Sequence, residues 1–261
     1  MQWVDHHKGT LHWPSRMRAA GIHLGVSLSI AAAAAVLVFA LWYPYPYREL
    51  SGGRELFLIV VAVDVVLGPL ITLAIFDRTK TRRHLAMDLS FVALVQLAAL
   101  AYGLWTVAVA RPVHLVFEVD RFRVVHRIEV DDQLLSQAPP GLHALPLAGP
   151  TLLAVRPFRD SKEQFDATLG ALGGVSLAAR PDLWERFESA RPRVREAAKP
   201  VSRLKARFPD QAADIDSRLR AAGLDPASAL YLPVAGRKTF WTALLDPGTL
   251  EAKGFLPLDS F

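Results

Sequence analysis

Cysteine is absent from this 261-residue sequence. The chain therefore has no disulfide pattern, and cysteine usage says nothing about its redox compartment. His6, His7 and His12 near the start could suggest a metal, but no cysteine or acid stands at ligand spacing from them. A solvated basic flank is the better interpretation of these histidines, and no metal site is predicted.

The sequence also lacks the motifs of common enzyme classes. It contains no phosphate-binding loop, and Ser161 and Ser176 are not set in a nucleophile elbow. His114, His126 and His143 fall in predicted strands or in a loop, without evident triad partners. These absences predict a protein that is not an enzyme and that binds no cofactor.

An excess of positive charge is confined to the N-terminal part of the chain. Up to Arg111 there are ten Lys and Arg against six Asp and Glu, whereas the remainder has 20 against 19. The excess flanks apolar runs and forms no basic face, so the sequence pI near 9.7 does not indicate nucleic-acid binding. The mean hydropathy of +0.24 likewise averages a very apolar N-terminal part with a charged C-terminal part.

Three long apolar runs dominate the first 110 residues. They cover residues 19–42, 56–76 and 89–110. A helix needs about 20 apolar residues to cross a hydrocarbon core roughly 30 Å thick, so each run predicts a transmembrane helix in a lipid bilayer. The first run is too long for the apolar region of a signal peptide, and it ends in Phe39 and Trp42 where small residues would mark a cleavage site. It is therefore predicted to remain as an anchor.

Aromatic residues and prolines follow this first run. They are Trp42, Tyr43, Pro44, Tyr45, Pro46 and Tyr47. The prolines end the helix, and amphipathic aromatic rings settle at headgroup depth. We expect this segment to form an interfacial belt.

The positions of Lys and Arg in the short flanks predict the orientation. The segment 1–18 carries three of these residues and the loop 77–88 carries four, whereas the loop between the first two runs carries only Arg48 and Arg54. By the positive-inside rule, the N-terminus and the second loop are cytoplasmic. Residues 111–261 then lie on the opposite side of the membrane. In a bacterium this places the chain in the inner membrane with a periplasmic domain.

Residues 111–261 are predicted to form a soluble α+β domain, an antiparallel sheet with a helical insert. The domain opens with a hairpin whose strands, Val113–Val119 and Phe122–Val130, meet at a turn of Asp120 and Arg121. This register places Glu118 opposite Arg123, a favourable cross-strand pair.

The remaining elements of this domain follow from strand patterns, caps and prolines. Thr151–Val155 is predicted as a strand, and Asp160 as the N-cap of a helix that ends near Gly173 or Gly174, with Glu163 at the capping-box position. The stretch 181–224 predicts several short helices interrupted by Pro192, Pro200 and Pro209. Further strands are predicted at 230–234, 238–245 and 250–255.

A single acid, Asp64, stands inside the middle run. A carboxylate near the centre of a span costs about 2.5 to 3.5 kcal/mol on insertion scales, so Asp64 is expected to face other helices and to have a partner. The rise of two antiparallel helices places Asp64 near the level of Tyr102, with Gln96 roughly a turn and a half deeper. Tyr102 is therefore the predicted hydrogen-bond donor.

Two glycines and a proline complete the candidate contact site. Gly68 and Gly103 would let two helices approach closely, because small residues remove the side-chain layer between backbones. Pro69 has no amide hydrogen for the carbonyl of Val65, which leaves a further acceptor beside Asp64.

Three interpretations of Asp64 remain open. We favour a structural polar lock between helices, and the alternatives are a contact with an arriving membrane partner and a step in proton or ion movement. No second acid lies at its depth, because Asp77 and Asp88 are near the cytoplasmic end, about 18 Å away. A pair of carboxylates that share a proton, as in an aspartyl protease, is therefore not expected.

Several segments together resemble the type IV pilin accessory family, the TfpX/TfpZ group. They are Arg18–Leu24, Trp42–Pro44, Val63–Thr72, the basic loop with Asp88 and Leu89, Gln96–Gly103 and Arg111–Phe122. The resemblance is dense from Arg18 to about Val130 and loose beyond. Its most specific element is the membrane Asp64 with Gly68 and Pro69, followed at this distance by the hairpin that starts at Arg111.

The resemblance implies an inner-membrane protein of bacteria that build type IV pili. Such a protein would assist the assembly or stability of a cognate major pilin, and it would have no catalytic activity. The implied partners are that pilin, other inner-membrane pilus assembly proteins and the lipid bilayer, with no nucleic acid. The family supplies no catalytic or ligand motif, so the site residues above rest on their positions alone.

Two other functional classes are considered. An ion-coupled transport subunit would need more polar residues at the membrane midplane than Asp64, Gln96 and Tyr102 provide. A sensor with a periplasmic ligand domain would pass its signal to a cytoplasmic output domain, and here the predicted cytoplasmic parts are a short N-terminal segment and one loop of about a dozen residues. The predicted function is therefore that of an accessory factor for fimbrium biogenesis.

Overall fold

The computed structural model describes residues 13–76, 80–142 and 144–261. It divides into two units: a helical unit, up to Val36 and Glu55–Thr106, and a sheet unit, Leu37–Arg54 and Val107–Phe261. Some residues considered above lie outside the described residues: His6, His7, His12, Asp77, Arg78 and His143.

Helices α1 (Trp13–Trp42), α3 (Gly53–Ile75) and α4 (Arg82–Val109) are long and apolar enough to cross a membrane. A short helix, α2 (Tyr47–Leu50), lies between the first two. At most 22% of the most apolar window of any of the three is buried inside the structure, as expected for helices whose side chains face lipid. The prediction of three transmembrane helices is confirmed.

Two of these helices contain a π-helical segment. Helix α1 is α-helical over Trp13–Val36 and ends in a π-helical turn at Leu37–Trp42. In α3 the π-helical residues Val63–Leu67 separate the α-helical parts Gly53–Ala62 and Gly68–Ile75. Pro69 explains the second segment, because its ring clashes with the preceding turn of an α-helix and it cannot donate to the carbonyl four residues before it. Such π-bulges are frequent at functional sites.

Among the described residues of the sheet unit, eight strands form one sheet in the order β4-β3-β1-β2-β6-β7-β8, with β5 beside β6. The strands are β1 (Pro112–Glu118), β2 (Arg121–His126), β3 (Thr151–Val155), β4 (Trp184–Arg186), β5 (Lys199–Pro200), β6 (Leu230–Ala235), β7 (Phe240–Leu245) and β8 (Ala252–Leu256).

The sheet is mixed. Strand β1 pairs parallel to β3, and β2 pairs parallel to β6, whereas the other neighbours are antiparallel. The prediction of an α+β domain is confirmed, but a purely antiparallel sheet is wrong. Both parallel pairs join strands that are not consecutive along the chain, since β2 lies between β1 and β3 in sequence and β3, β4 and β5 lie between β2 and β6.

Besides α2, four α-helices surround this sheet in the described residues. They are α5 (Ser161–Leu172), α6 (Phe187–Ala197), α7 (Val201–Arg207) and α8 (Ala212–Ala221). Short 3₁₀ turns occupy Arg127–Glu129, Asp132–Gln137, Leu177–Ala179, Pro181–Leu183 and Pro209–Gln211. The predicted cap is present, because the Asp160 carboxylate accepts a hydrogen bond from the Glu163 amide at 2.8 Å. The predicted interruption at Pro192 is wrong, because α6 continues through this residue. Pro192 lies on the exposed side of the helix.

The core of this unit lies on both faces of the sheet. Phe117 and Phe187 belong to one cluster, which also contains Leu50 at the end of α2. Val116 and Trp184 belong to a second cluster on the other face. A third cluster joins α7 and α8 to β6 and β7. Strand β1 is thus covered on both sides, which explains why its apolar residues are nearly continuous.

The hairpin of β1 and β2 turns at Val119 and Asp120, one residue earlier than predicted. Phe117 lies opposite Phe122, and their ring centroids are 6.0 Å apart. The predicted register is wrong, although Glu118 and Arg123 still form an ion pair at 3.7 Å. Because the two registers keep every side chain on the same face, the apolar pattern could not distinguish them.

The connection between α1 and α3 packs into the sheet unit. Tyr43 is fully buried, and its hydroxyl donates to the carbonyl of Val107 at 3.1 Å. Tyr47 stacks edge-on against Phe255 with ring centroids 6.1 Å apart. The predicted interfacial belt is therefore wrong for Tyr43 and Tyr47, because these rings are covered by protein.

Candidate functional site among the apolar helices

A cavity of about 200 Å³ lies between α1, α3 and α4. Most of its lining is apolar and includes Ile30, Leu97 and Leu100. Four polar side chains also line it: His23, Ser27, Asp64 and Gln96. We call this cavity the polar cleft. Polar groups inside helices of this apolarity are costly in lipid, so their convergence on one cavity marks it as the candidate site.

Asp64 lies in the π-helical segment of α3 and is only 8% exposed. Its Oδ1 atom is buried and accepts no hydrogen bond from the described part of the chain. The backbone carbonyl of Asp64, in contrast, accepts a hydrogen bond from Gln96 Nε2 at 3.3 Å. The helices α3 and α4 are therefore joined through the backbone of Asp64, and its carboxylate faces the cleft with unused acceptor capacity.

Both glycines of the candidate site lie where α3 and α4 approach each other. A Cβ atom on Gly68 would lie 1.9 Å from Gln96 Nε2, and one on Gly103 would lie 2.7 Å from Val60 Cγ2. Neither position has room for a methyl group without movement of its neighbour. The predicted close approach at these two glycines is present in the structure.

Tyr102 does not contact Asp64. It is 69% exposed, and its ring lies against Trp105 with centroids 5.8 Å apart. The prediction that Tyr102 donates to Asp64 is wrong for a geometric reason. Its neighbour Gly103 faces α3, and successive residues of a helix point about 100° apart. Gln96, and not Tyr102, is the residue of α4 that reaches Asp64.

Three polar residues of the helical unit were missed by the sequence reasoning. His23 Nδ1 and Thr72 Oγ1 are 2.6 Å apart, and this hydrogen bond joins α1 to α3. Ser27 is buried one turn after His23 and lines the same cleft. Polar residues four positions apart in an otherwise apolar helix share one face, and this spacing was the available signal.

The chemistry of the polar cleft is that of hydrogen-bond acceptance. Asp64 Oδ1 has no donor among the described residues, while Gln96 and His23 already use one polar atom each within the unit. No group of three or more His, Asp or Glu that could hold a metal occurs among the residues that the structure describes. The cleft therefore contains a hydrogen-bond acceptor that the described residues leave unused.

The described histidines of the sheet unit, His114 and His126, are structural. His114 is fully buried, with Nδ1 2.7 Å from Thr151 Oγ1 and Nε2 2.9 Å from the carbonyl of Ala144. Burial lowers its pKa to about 4, so the ring is neutral at physiological pH. His126 is also buried and contacts Glu129 at 3.1 Å. Burial raises the pKa of Glu129, but hydrogen bonds from His126 outweigh this effect and leave that pKa below its usual range.

Comparison with known proteins gives consistent matches. Residues 11–52 match the family described as "Fimbrial assembly protein FimB". The fimbrial assembly protein of Dichelobacter nodosus serogroup I is 35% identical over 232 residues, which cover 88% of this chain and 90% of that relative. The protein of serogroup E1 is 35% identical over 234 residues with the same coverage. The protein of serogroups C1 and C2 is 37% identical over 122 residues, 47% of this chain and 91% of its own length.

Three membrane-length helices with a polar cleft among them, followed by an α+β unit, define a small polytopic membrane protein. The relatives make the assignment more specific. The chain belongs to the family of fimbrial assembly proteins, and its role is in fimbrial biogenesis. The resemblance to a type IV pilus accessory family is thereby confirmed. No solved structure matches the chain.

Proposed function

We propose that this protein is a non-enzymatic accessory factor of the bacterial inner membrane that assists the assembly or stability of a cognate major pilin. The observation that carries the proposal is Asp64, whose residue lines the polar cleft and whose buried Oδ1 has no donor among the described residues. The relatives are named as fimbrial assembly proteins, and these names support a role in fimbrial biogenesis.

The contacts around Asp64 argue against a purely structural lock. The described helices are already joined by His23 with Thr72 and by Gln96 with the carbonyl of Asp64. Neither bond uses the carboxylate. An acceptor that is buried without a partner destabilises the resting protein by about 1 to 3 kcal/mol, and a donor from outside would remove this penalty. This arrangement favours the contact with an arriving membrane partner over the lock.

The shape of the cleft suits a membrane helix as that partner. Its volume of about 200 Å³ has room for one or two side chains, and its walls at Val26, Ile30 and Leu97 are apolar. Lipid supplies little hydrophobic drive for helix association, so packing and one hydrogen bond, worth about 0.6 to 2 kcal/mol, would decide binding. The partner segment should therefore be apolar with a single donor group.

A pilin fits this description through the resemblance. The resemblance implies that a pilin subunit, before assembly, has an apolar N-terminal helix in the membrane and a globular head outside it. By the positive-inside rule we expect the sheet unit in the periplasm, on the same side as that head. The cleft would then accept one or two side chains of the stored pilin's membrane helix, and the sheet unit would select the head.

Site-directed crosslinking tests the proposal, because the natural chain has no cysteine. Leu97→Cys places a thiol in the cleft, whereas Leu94→Cys, on the same helix, is 66% exposed and outside the cleft lining. With a bifunctional thiol reagent and a pilin that carries one cysteine in its membrane helix, we expect an adduct from Leu97→Cys and little from Leu94→Cys. Equal yields from both positions, or no pilin adduct from the cleft, would reject the assigned contact.

A further inference from the structure

Helix α5 of the sheet unit exposes its apolar side chains. Phe165, Leu169 and Leu172 are 62%, 51% and 81% exposed. Their spacing of four and three residues puts them on one face of the helix. The buried residue of α5 is Ala167, so the helix turns its small side toward its own unit and its large apolar side away. We call these three residues the ridge.

This orientation is the reverse of that expected for a helix on a water-facing surface. Short helices are marginal alone and are stabilised mainly by burial of an apolar face. The neighbouring helices follow that rule, since α6 buries Phe187 and α8 buries Ile215. Helix α5 is instead held by polar contacts: Asp160 caps it, and Arg156 forms two hydrogen bonds to Glu163 at 2.9 and 2.7 Å.

A groove of about 530 Å³ begins where the ridge ends. It is lined by Ala171 near the end of α5 and by residues of the adjoining strands and turns, among them Val119, Leu177 and Phe240. Val119 is the exposed tip of the β1–β2 hairpin and adopts a φ of 57°, in the region that disfavours branched side chains. The chain thus holds a large apolar side chain at the mouth of this groove in a costly backbone conformation.

The geometry points to a second copy of this chain as the occupant: the ridge of each copy lies in the groove of the other. A two-fold interface uses the same patch twice, so one patch must contain both the projection and the recess that accepts it. Here the two are adjacent, and Ala171 belongs to both α5 and the groove wall.

The helix of the ridge carries an exposed carboxylate, and the groove is lined by two arginines and one glutamate. Asp166 follows Phe165 on α5, is exposed and forms no ion pair with the residues that the structure describes. Arg121 and Arg123 line the groove together with Glu118, and within the chain Arg123 lies 3.7 Å from Glu118 and Arg121 lies 2.7 Å from Asp120. In the two-fold arrangement, the carboxylate of one copy approaches the guanidinium groups of the other. Such rim pairs fix orientation more than they add affinity.

The area agrees with a dimer formed in a membrane. The ridge with Val119, Val175 and Phe240 exposes on the order of 500 Å² of apolar surface, if each side chain has an area near 150 to 250 Å². Two such faces bury about 1,000 Å², the lower bound for a specific interface. Confinement of both copies by their transmembrane helices raises their effective concentration, so an interface of this size is sufficient.

Cysteine crosslinking of the full chain in its membrane tests this dimer. Two differently tagged copies are expressed together without pilin, one with Leu169→Cys in the ridge and the other with Phe240→Cys in the groove. Because each copy has one cysteine, a mixed-tag product can only come from two chains. We expect this mixed product, and we expect Phe165→Asp to reduce its yield at least tenfold.

A matched control separates the interface from general effects of an added charge. Ile128 is 60% exposed, close to the value for Phe165, and follows β2 at the end opposite the hairpin turn. Ile128→Asp should leave the mixed product unchanged. Absence of the mixed product in membranes that contain both copies would overturn the inference, and so would a product that survives Phe165→Asp. The dimer is measured without pilin, so its failure would leave the proposed function untouched.

Discussion

Gln96 donates its side-chain hydrogen bond to the backbone carbonyl of Asp64 at 3.3 Å and not to the carboxylate. The same amide nitrogen occupies the space that a side chain at residue 68 would need. This one contact joins α3 to α4 and leaves the carboxylate of Asp64 directed at the polar cleft. The helical contact and the candidate binding group are therefore different parts of one residue, and they can be separated by mutation.

The carboxylate of Asp64 should be dispensable for stability and required for function. Replacement of a buried acceptor that has no partner by an apolar group of similar size is nearly neutral or stabilising, so Asp64→Leu should keep the wild-type protein level. Loss of one membrane hydrogen bond should weaken pilin binding roughly 3- to 30-fold. Immunoblotting of membranes measures the protein level. The amount of surface pilin reports the consequence of weaker pilin binding.

Asp64→Asn is the matched variant, since its amide keeps an acceptor oxygen. It should retain more surface pilin than Asp64→Leu. If Asp64→Leu instead lowers the protein level while Asp64→Asn does not, the structural-lock interpretation is right and the cleft contact is wrong.

Gly68→Ala should loosen the contact of α3 with α4. The added methyl group displaces the Gln96 amide and breaks its hydrogen bond, at a cost of about 1 to 3 kcal/mol in the free energy of unfolding. Gly25→Ala on α1 is the control, because no atom lies within 4 Å of its added Cβ. Thermal unfolding in detergent should show a lower Tm for Gly68→Ala only, and Gln96→Ala in the same chain should restore part of the loss. Equal Tm values for both glycine variants would contradict the packing described.

Stability should fall as the pH drops from about 6.5 to about 4 because of His114. Burial lowers the folded-state pKa of this ring from 6.5 to about 4. The unfolded chain therefore takes up the proton first, so the contribution of the neutral ring is complete above pH 6.5 and is lost as the pH falls through 4. The full loss is on the order of 3 kcal/mol.

The measurement for this prediction is the Tm of the full chain in detergent at pH 7 and pH 5. His114→Gln, which cannot take up a proton in this range, should show a smaller difference in Tm between the two pH values than the wild type. An identical pH dependence in the two proteins would show that another group is responsible.

The orientation can be tested with reporter fusions. The three Lys and Arg of the segment 1–18 and the four of the loop 77–88, against two in the loop between the first two spans, motivate the prediction. A reporter fused after Arg83 should be active only in the cytoplasm, and one fused after Phe261 only in the periplasm. Activity of the Arg83 fusion in the periplasm would reverse the proposed topology.

Pilin preference should follow the sheet unit. The transmembrane helices are rich in Ala, Leu and Val, whereas residues 111–261 carry most of the charged and aromatic variety from which specificity can be built. Because the connection between α1 and α3 packs into the sheet unit, an exchange between two relatives must move Leu37–Arg54 together with Val107–Phe261. Surface pilin in the chimaeras decides the question, and preference that follows the remaining helices would assign recognition to the polar cleft.

Local signals made several elements predictable from the sequence. The three spans follow from apolar length, and α5 follows from the cap at Asp160. Asp64, Gly68 and Gly103 were found because a lone acid or a glycine in an apolar span has few explanations. The strand Thr151–Val155 has the predicted bounds.

Features that depend on distant contacts or on helix rotation could not be predicted in this way. A register that differs by two residues keeps the same side chains on each face, so the hairpin turn at Val119 was missed. The parallel pairing of β2 with β6 joins segments more than 100 residues apart. The depth of a residue in the membrane can be counted along its helix, but the rotation of the helix about its axis is set by packing. For this reason the sequence predicts a contact of Asp64 with Tyr102, whereas the structure shows one with Gln96.

The burial of Leu50 in the sheet core has a consequence for the order of events during synthesis. Leu50 is fully buried among residues of β1, β2, β6 and β7, and its carbonyl lies near Gly236. The ribosome completes this short connection long before the last strands exist, so Leu50 stays without its packing partners until the rest of the chain has been made. Late non-local contacts of this kind slow folding and leave an unfinished sheet exposed. A fragment that begins at Arg111 would lack Leu50, Tyr47 and Tyr43, and quality-control proteases should remove it faster than the intact chain.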